Sequence, residues 1–443
     1  MAPLNILGRQ FTSLSFHSGS LSQLAHRITL TCFAMALVTS TICHADEWPG
    51  LLGKNRDGQA ADLEVSPEKW GASPKIEWTY DLGSGYAGAA VANRAGKSIV
   101  LVPHRKGNKE LLTAIDLATG KQLWETPWAA SYSASINPDD GPRCVPSVQG
   151  DRAICYGAAG DLVCCQLSDG AILWQRALRK EYAARDGYFG AGSSPLIVGN
   201  RVIACPGGRD AGIVALDIDT GKTVWTATDY EASYSSPIAF TSGSETLLLC
   251  VMRLSAVLLN ANDGKLLSEI RFGARGPTVN AATPIALKNS PQSFFLTASY
   301  GVGCVLVEAK GIGLQEKYRS KSLISSQYNT PVAVGDNVIG IDGREDMGGA
   351  ALTCIDPTAQ KVIWTESNYG TAHLLAAKNA VIALNLEGRL EAISTQDQSF
   401  SSLARWQLPQ GDYRAIPAAA SNRVLVRASL SPSQSKLLAV ELP

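Results

Sequence analysis

The sequence predicts an all-β protein, an eight-bladed β-propeller of four-stranded antiparallel blades whose ring is closed by an N-terminal strand. Three observations carry this prediction: a repeated eleven-residue segment, a proline-led strand start that recurs at a regular interval, and a last repeat that lacks its fourth strand. Four strand-sized apolar runs in each unit of 40 to 50 residues are typical of a propeller.

The repeated segment reads AIDLATGKQLW at Ala114 to Trp124 and ALDIDTGKTVW at Ala215 to Trp225. Its Asp can accept hydrogen bonds from a turn backbone, its Gly permits a left-handed turn residue, and its Trp offers a flat apolar face to a neighbouring unit. Weaker copies end at Trp174, Ser268 and Trp364. We expect a structural role between blades for six tryptophans: Trp78, Trp124, Trp174, Trp225, Trp364 and Trp406.

The proline marker gives a second count of the units. Six short apolar runs open at Pro146, Pro195, Pro237, Pro284, Pro331 and Pro417, spaced 42 to 49 residues apart with one final interval of 86. Proline is tolerated at the first residue of a strand because its missing N–H breaks no interior hydrogen bond. The double interval places a seventh start near His373, and Gly88 to Val91 supplies the eighth, so the marker also indicates eight blades.

The last unit ends at KLLAVEL, after which no fourth strand remains. The segment KIEWTYDL at Lys75 to Leu82 is a fourth strand without the three that should precede it. Joining the two completes the eighth blade and leaves no unpaired edge in the ring.

Residues 1–45 carry Arg9, Arg27 and the apolar run Ile28 to Ile42, and end in Cys-His-Ala. This pattern predicts a cleaved signal peptide, followed by a lead segment at 46–74 and the propeller at 75–443. We therefore expect a periplasmic or secreted monomer with no transmembrane segment, because the apolar run is too short to span a bilayer. A formal net charge of zero gives no basic footprint for nucleic acid.

No metal site is expected. Only His104 and His373 remain after the predicted signal peptide, and the eight remaining cysteines show no spacing suited to zinc. They lie in strand-like apolar runs, where a buried thiol acts as a small hydrophobic group. The sequence also contains no nucleophile elbow, zinc-protease motif or phosphate loop.

The pattern AxDxxTGKxxW resembles the tryptophan-docking motif of the pyrroloquinoline quinone (PQQ) repeat, over roughly Lys75 to Pro443. The opening EWPGLLGKNRDG is similar to the lead of exported PQQ-like propellers, although Leu52 stands where that lead has Arg. The resemblance implies kinship with quinoprotein alcohol dehydrogenases and with the outer-membrane protein assembly factor. The dehydrogenases carry a vicinal disulfide, but Cys164 and Cys165 fall inside a predicted strand, where adjacent side chains point to opposite faces.

Three functions remain open. We expect a noncatalytic scaffold that binds a protein or peptide and needs no cofactor. The alternatives are a dehydrogenase that uses PQQ with calcium, and a propeller that binds a small ligand or saccharide.

The candidate binding face consists of the segments that precede the first strands, because these segments surround the channel of a propeller. Its predicted members are Tyr86, Arg143, Tyr188, Tyr234, Asn280, Tyr328, Asn329, Tyr369, Tyr413 and Arg414. Asp186 and Glu345 are interpreted as solvated loop charges, and Tyr300 as a turn residue of lesser interest. No catalytic residue is predicted.

Overall fold

The structure, a computed structural model, describes residues 47–134, 136, 139–185 and 187–443. The predicted signal peptide and Asp186 lie outside these residues. Within them the chain forms eight sheets, each containing four consecutive antiparallel strands or, in one case, three such strands and an earlier one. The predicted all-β, eight-bladed fold is confirmed. No helix in the described ranges is both long and apolar enough to cross a membrane.

Three elements precede the blades: strand β1 Gln59–Ala60, a 3-10 helix Pro67–Lys69 and strand β2 Lys75–Leu82. Blade 1 contains β3 Ala90–Arg94, β4 Lys97–Lys106, β5 Lys109–Asp116 and β6 Gln122–Ala129. Blade 2 contains β7 Ser147–Gln149, β8 Arg152–Tyr156, β9 Asp161–Gln166 and β10 Ile172–Ala177, followed by the single helix turn α1 Leu178–Glu181.

Blade 3 contains β11 Leu196–Val198, β12 Arg201–Ala204, β13 Ile213–Asp217 and β14 Thr223–Ala227. Blade 4 contains β15 Ile238–Ser242, β16 Glu245–Val251, β17 Ser255–Asn260 and β18 Leu266–Arg271. Blade 5 contains β19 Ile285–Leu287, β20 Ser290–Ala298, β21 Gly303–Lys310 and β22 Gly313–Ser320.

Blade 6 contains β23 Val332–Val334, β24 Asn337–Asp342, a 3-10 helix Glu345–Met347, β25 Ala351–Asp356 and β26 Lys361–Glu366. Blade 7 contains β27 Ala372–Ala377, β28 Ala380–Asn385, β29 Arg389–Ser394 and β30 Ser402–Gln407. Blade 8 contains β31 Ala418–Ala420, β32 Arg423–Ser431 and β33 Gln434–Glu441, and β2 pairs antiparallel with β33 as its fourth strand.

The proline marker identifies the first strands correctly. In each of the six marked blades the first strand begins at the residue directly after the proline, as in Ser147 after Pro146. The first strands without a marker are β3 and β27, where the sequence indicated them.

Tryptophans on fourth strands connect neighbouring blades. Four indole N–H groups each donate to a backbone carbonyl of the following blade at 2.7 to 3.2 Å: Trp78 to Leu117, Trp124 to Leu167, Trp174 to Ile218 and Trp225 to Ala261. Each ring also covers the turn glycine of that following blade. At Gly120, where φ is 68°, a Cβ would lie 2.6 Å from Cγ of Trp78, so only glycine fits there.

The other two tryptophans have different neighbours because the turn glycine is missing next to them. Trp406 donates to the carbonyl of Gly71 at 2.8 Å and stacks on Trp70 with ring centroids 4.1 Å apart. The rings of Trp364 and Phe400 pack edge to face, with their centroids 5.9 Å apart. The lead segment therefore replaces, for blade 7, the turn that blade 8 does not supply.

The lead segment also crosses one end of the central channel. There it forms hydrogen bonds with the first strands of several blades, which are the inner strands of the ring. Trp48 exchanges two backbone hydrogen bonds with Val91 of blade 1, at 2.9 and 2.8 Å. The carbonyl of Pro49 accepts from Val148 of blade 2 at 2.7 Å. Further along, β1 pairs in parallel with β27 of blade 7.

Arg56 is the centre of these contacts. Its Nη1 donates to the carbonyls of Ser194 at 3.2 Å and Pro237 at 3.0 Å, and its Nη2 donates to the carbonyl of Pro195 and to Oγ of Ser147 at 3.2 Å. Burial lowers the pKa of Arg56 to about 10, so the guanidinium keeps its charge at neutral pH. One side chain thus ties together blades 2, 3 and 4.

Cys164 and Cys165 follow each other in β9 but enter different cores. Cys164 packs with Trp174 and Leu216, whereas Cys165 packs with Trp124 and Leu101. Both thiols are free and fully buried. They lie between blades and do not reach the channel.

Replacing Trp124 with Ala should lower the free energy of unfolding by about 3 to 5 kcal/mol, because a buried indole and its hydrogen bond are lost. The neighbouring exposed residue gives the control: Leu123→Ala should change it by less than about 0.5 kcal/mol. Urea titration measures both variants. A loss below about 1 kcal/mol for Trp124→Ala contradicts the role in blade contact.

Replacing Arg56 with Ala should lower the free energy of unfolding by at least about 3 kcal/mol, because buried carbonyls lose a charged donor. Lys54→Ala, an exposed change two residues earlier, serves as the control and should stay within about 0.5 kcal/mol of the wild type. Equal midpoints for the two variants in urea would show that Arg56 does not hold the inner strands.

Candidate functional site

Two kinds of connection meet at the end of the channel opposite the lead segment. In an antiparallel blade, the segment that enters the first strand and the turn between the second and third strands lie at the same end. The pre-strand segments supply most of the predicted residues, and the second-to-third-strand turns of blades 5 and 6 supply Tyr300 and Glu345.

Together they enclose a cavity of about 270 Å³, which we call the mouth cavity. Its walls are formed by five aromatic side chains, Tyr86, Phe189, Tyr234, Tyr300 and Tyr328, and by five polar ones, Arg143, Gln327, Glu345, His373 and Arg414. Leu51 of the lead segment also lines it, together with the small residues that precede the first strands. The cavity therefore resembles a cup: aromatic and polar walls, with the lead segment beneath.

Arg414 occupies one wall and is fully neutralised. Its Nη1 donates to Oε2 of Glu345 at 2.6 Å, its Nη2 pairs with Oε1 of the same carboxylate, and its Nε donates to Oδ2 of Asp412 at 2.6 Å. Tyr328 donates its hydroxyl to Oε2 of Glu345 at 2.9 Å. Burial raises the pKa of Asp412, although the bond to Arg414 acts in the opposite direction.

Arg143 lies between two aromatic rings on another part of the wall. The guanidinium carbon is 5.7 Å from the ring centre of Tyr86 and 5.8 Å from that of Phe189. Its Nη1 and Nη2 donate to the carbonyls of Gly141 at 2.6 Å and Asp139 at 2.9 Å. Across the part of the chain that the structure describes, Arg143 forms no ion pair with a carboxylate.

His373 is held in a neutral form. Nε2 lies 2.8 Å from the carbonyl of Arg414, and since a carbonyl can only accept, this nitrogen carries the proton. Nδ1 then accepts from the amide of Asn329 at 3.4 Å. Burial lowers the pKa of His373 to about 4, so at neutral pH it is a fixed, uncharged part of the wall.

Five of the ten predicted face residues come together in the mouth cavity: Tyr86, Arg143, Tyr234, Tyr328 and Arg414. The hydroxyl oxygen of Tyr234 accepts from the backbone N–H of Phe189 at 2.8 Å. Burial raises the pKa of Tyr234 to about 12, so it stays protonated.

The prediction is wrong for Tyr369 and Tyr413, which do not reach the channel. Tyr369 turns into the space between blades 6 and 7, where its hydroxyl donates to Glu391 at 2.7 Å. Tyr413 is fully buried against Gly388, and its hydroxyl donates to the carbonyl of Pro409 at 2.7 Å. Both rings fill gaps in the core.

The two predicted asparagines are not among the residues that line the cavity; Asn280 supports the backbone and Asn329 supports the ring of His373. Asn280 is buried and its amide donates to the carbonyls of Met252 at 2.9 Å and Arg253 at 3.1 Å. The side-chain amide of Asn329 donates to Nδ1 of His373 at 3.4 Å. Tyr188 is not among the residues that line the mouth cavity; it lines a second cavity next to it.

The interpretation of Glu345 as a solvated loop charge is wrong, because it is the common partner of Arg414 and Tyr328. Tyr300 is also part of the wall: its hydroxyl accepts from Gln327 at 3.0 Å, and Arg344 covers its ring at 4.4 Å. The antiparallel order of the strands was the signal that would have placed both turns at this end. Phe189 follows Tyr188 directly and carried no separate signal.

The calcium ion that the resemblance to quinone enzymes implies needs several oxygen ligands. Glu345, which lines the mouth cavity, and Asp412 are both bonded to Arg414, so these two carboxylates do not form such a set as arranged. Among the described residues, no three His, Cys, Asp or Glu side chains converge as metal ligands.

Comparison with known proteins places the fold. The family model described as outer membrane protein assembly factor BamB matches residues 108–366. The structure of BamB from Moraxella catarrhalis is similar, with a TM-score of 0.57 and 16% identity over 83% of this chain and 98% of that chain. A europium-containing methanol dehydrogenase gives a TM-score of 0.65 and 10% identity over 90% of this chain and 98% of that one. No curated protein matches the chain by sequence.

Acid should destabilise the wild type relative to a His373→Gln variant. Between the ordinary His pKa of about 6.5 and the folded value of about 4, the unfolded chain binds a proton that the folded chain does not. The free energy of unfolding should therefore fall with decreasing pH across this window, by up to about 1.4 kcal/mol per pH unit more than in the variant. Urea titrations from pH 7 to pH 4 test this, and a constant difference between the two proteins would contradict it.

Proposed function

This chain belongs to the outer membrane protein assembly factor BamB family, and from that premise we propose that it is an exported, noncatalytic scaffold that holds a polypeptide partner at the mouth cavity. The signal-like pattern of residues 1–45 supports export. The family description supports a role in protein assembly.

The observation that carries the proposal is the state of the ionisable groups at the mouth. Glu345 and Asp412 are paired with Arg414, and both ring nitrogens of His373 have partners. A general base must be within hydrogen-bond reach of the proton it removes and must have its pKa near the working pH. His373, with its lowered pKa and occupied nitrogens, does not meet that requirement.

What the cavity presents instead is suited to recognition. Aromatic faces and an arginine are the side chains most often found at the energetic centre of protein interfaces. Tyr86, Phe189 and Arg143 form such a group, and the cavity shape allows a partner side chain to be enclosed. Binding of side chains therefore accounts for the groups present better than proton transfer does.

Site-specific photo-crosslinking tests the proposal. A benzoylphenylalanine at Tyr188, on the rim, should give a discrete cross-linked product with the exported proteins of the source cell. The same group at Ile312, exposed in the turn between β21 and β22 of blade 5, is the matched control and should give none. The partner band is then identified by mass spectrometry.

Enzymatic activity of the purified chain would contradict the scaffold proposal. If the purified chain, given PQQ with calcium or a lanthanide, oxidises alcohols in a dye-linked assay, and Glu345→Gln removes that activity without unfolding the protein, the scaffold proposal fails. If the Tyr188 and Ile312 positions gave the same cross-linked products, that result would also contradict a binding site at the mouth.

A further inference from the structure

A second cavity of about 380 Å³ adjoins the mouth cavity, and the two share Gly192, Tyr234 and Val279 as lining residues. Tyr188 and Arg253 line only the second cavity. The two cavities therefore adjoin one another at the three shared residues, and we call the pair the groove; it extends from the channel toward blades 3 and 4. A groove of this form suits an extended chain better than a compact small molecule.

Arg253 is held in the second cavity in the same way as Arg143 in the mouth cavity, by hydrogen bonds to two backbone carbonyls. Its Nη1 and Nη2 donate to the carbonyls of Ala274 at 2.7 Å and Gly276 at 2.5 Å. Within the described residues, it belongs to no ion pair. Both arginines are half-buried, so their orientation is fixed by backbone carbonyls while their positive charge has no carboxylate beside it.

Among the described residues that line the two cavities, the carboxylates are already paired. Glu345 is bonded to Arg414, and Glu231 is bonded to Arg185 at 2.8 Å. Among the arginines that line the two cavities, Arg143 and Arg253 therefore present guanidinium groups that have no carboxylate beside them in the described part of the chain. A guanidinium binds a carboxylate through paired, charge-assisted hydrogen bonds.

We propose that the groove binds an extended, acidic segment of the partner polypeptide, with one carboxylate at Arg143 and another at Arg253. This inference rests on the proposed scaffold function and names the chemistry of its partner. Apolar or aromatic side chains between the two acids would contact Tyr86, Phe189 and Tyr234. The formal net charge of the whole chain is zero, so the attraction is local to the groove.

Two synthetic peptides test the proposal by fluorescence anisotropy. One alternates Glu with Tyr and Phe, and the other replaces every Glu with Gln. The acidic peptide should bind, and its affinity should fall when the ionic strength rises from about 0.05 to about 0.5 M, because salt screens exposed charges. The Gln peptide should bind at least about tenfold more weakly, since its amides cannot form charge-assisted pairs.

The variants Arg143→Gln and Arg253→Gln should each weaken the acidic peptide by about tenfold. The control is Arg319→Gln, on the outer strand of blade 5, which should leave the affinity unchanged within about twofold. Melting curves show whether each variant is folded. If Arg143→Gln does not fold, Arg143→Lys replaces it: this variant keeps the charge, loses the planar contacts and should bind with intermediate affinity.

Three outcomes overturn the proposal. They are equal binding of the Glu and Gln peptides, full affinity in both arginine variants, or displacement of the peptide by equimolar free glutarate, which would make a small carboxylate the occupant. The first two leave the scaffold function standing when cross-links still form at Tyr188. Loss of those cross-links removes the scaffold function itself.

Discussion

The inner edges of the blades impose the constraint on which the rest of this structure depends. Each first strand has one side toward the channel, and its carbonyl and N–H groups there need partners. The lead segment supplies many of them, through Trp48, Pro49, the guanidinium of Arg56 and strand β1. Arg56 alone donates to three backbone carbonyls and one hydroxyl of three blades, because its planar group can donate in several directions at once.

Because the lead segment occupies one end of the channel, it also determines the shape of the site at the mouth. With Leu51 beneath them, the residues at the opposite mouth form a closed cup and its adjoining groove, in which bound groups are partly removed from water. Four Trp and Gly contacts between blades keep the walls in register, since these four indoles each cover a turn glycine that has no side chain. Aromatic walls and the two arginines without carboxylate partners then favour recognition, and the same rigidity that holds the ring together keeps those groups in place.

The parts of the fold that the sequence predicts are local and periodic. A proline marks the first strand in six of the eight blades, and a turn Gly followed by a Trp recurs in three of them, so the blade count and these strand starts could be read from the sequence. The site depends on direction as well as position. Tyr328 and Tyr369 both precede a first strand, yet one faces the channel and the other faces Glu391, a difference that arises from packing between blades. Tyr413 turns inward because Gly388 leaves room for its ring. Arg56 belongs to no repeat, so no periodic signal announced its contacts.

Hydrogen–deuterium exchange of residues 50–60 tests most directly whether the lead segment closes the channel. The amides of Arg56 and Gly58 bond to the carbonyls of Gly53 and Leu52 at 3.2 and 3.0 Å and lie against the inner strands. They should exchange at least about a hundredfold more slowly than the amides of the exposed turn at residues 107–108, because exchange then requires opening of the packed segment. Exchange of these amides as fast as in that turn would contradict a closed channel, and with it the cup in which the proposed site lies.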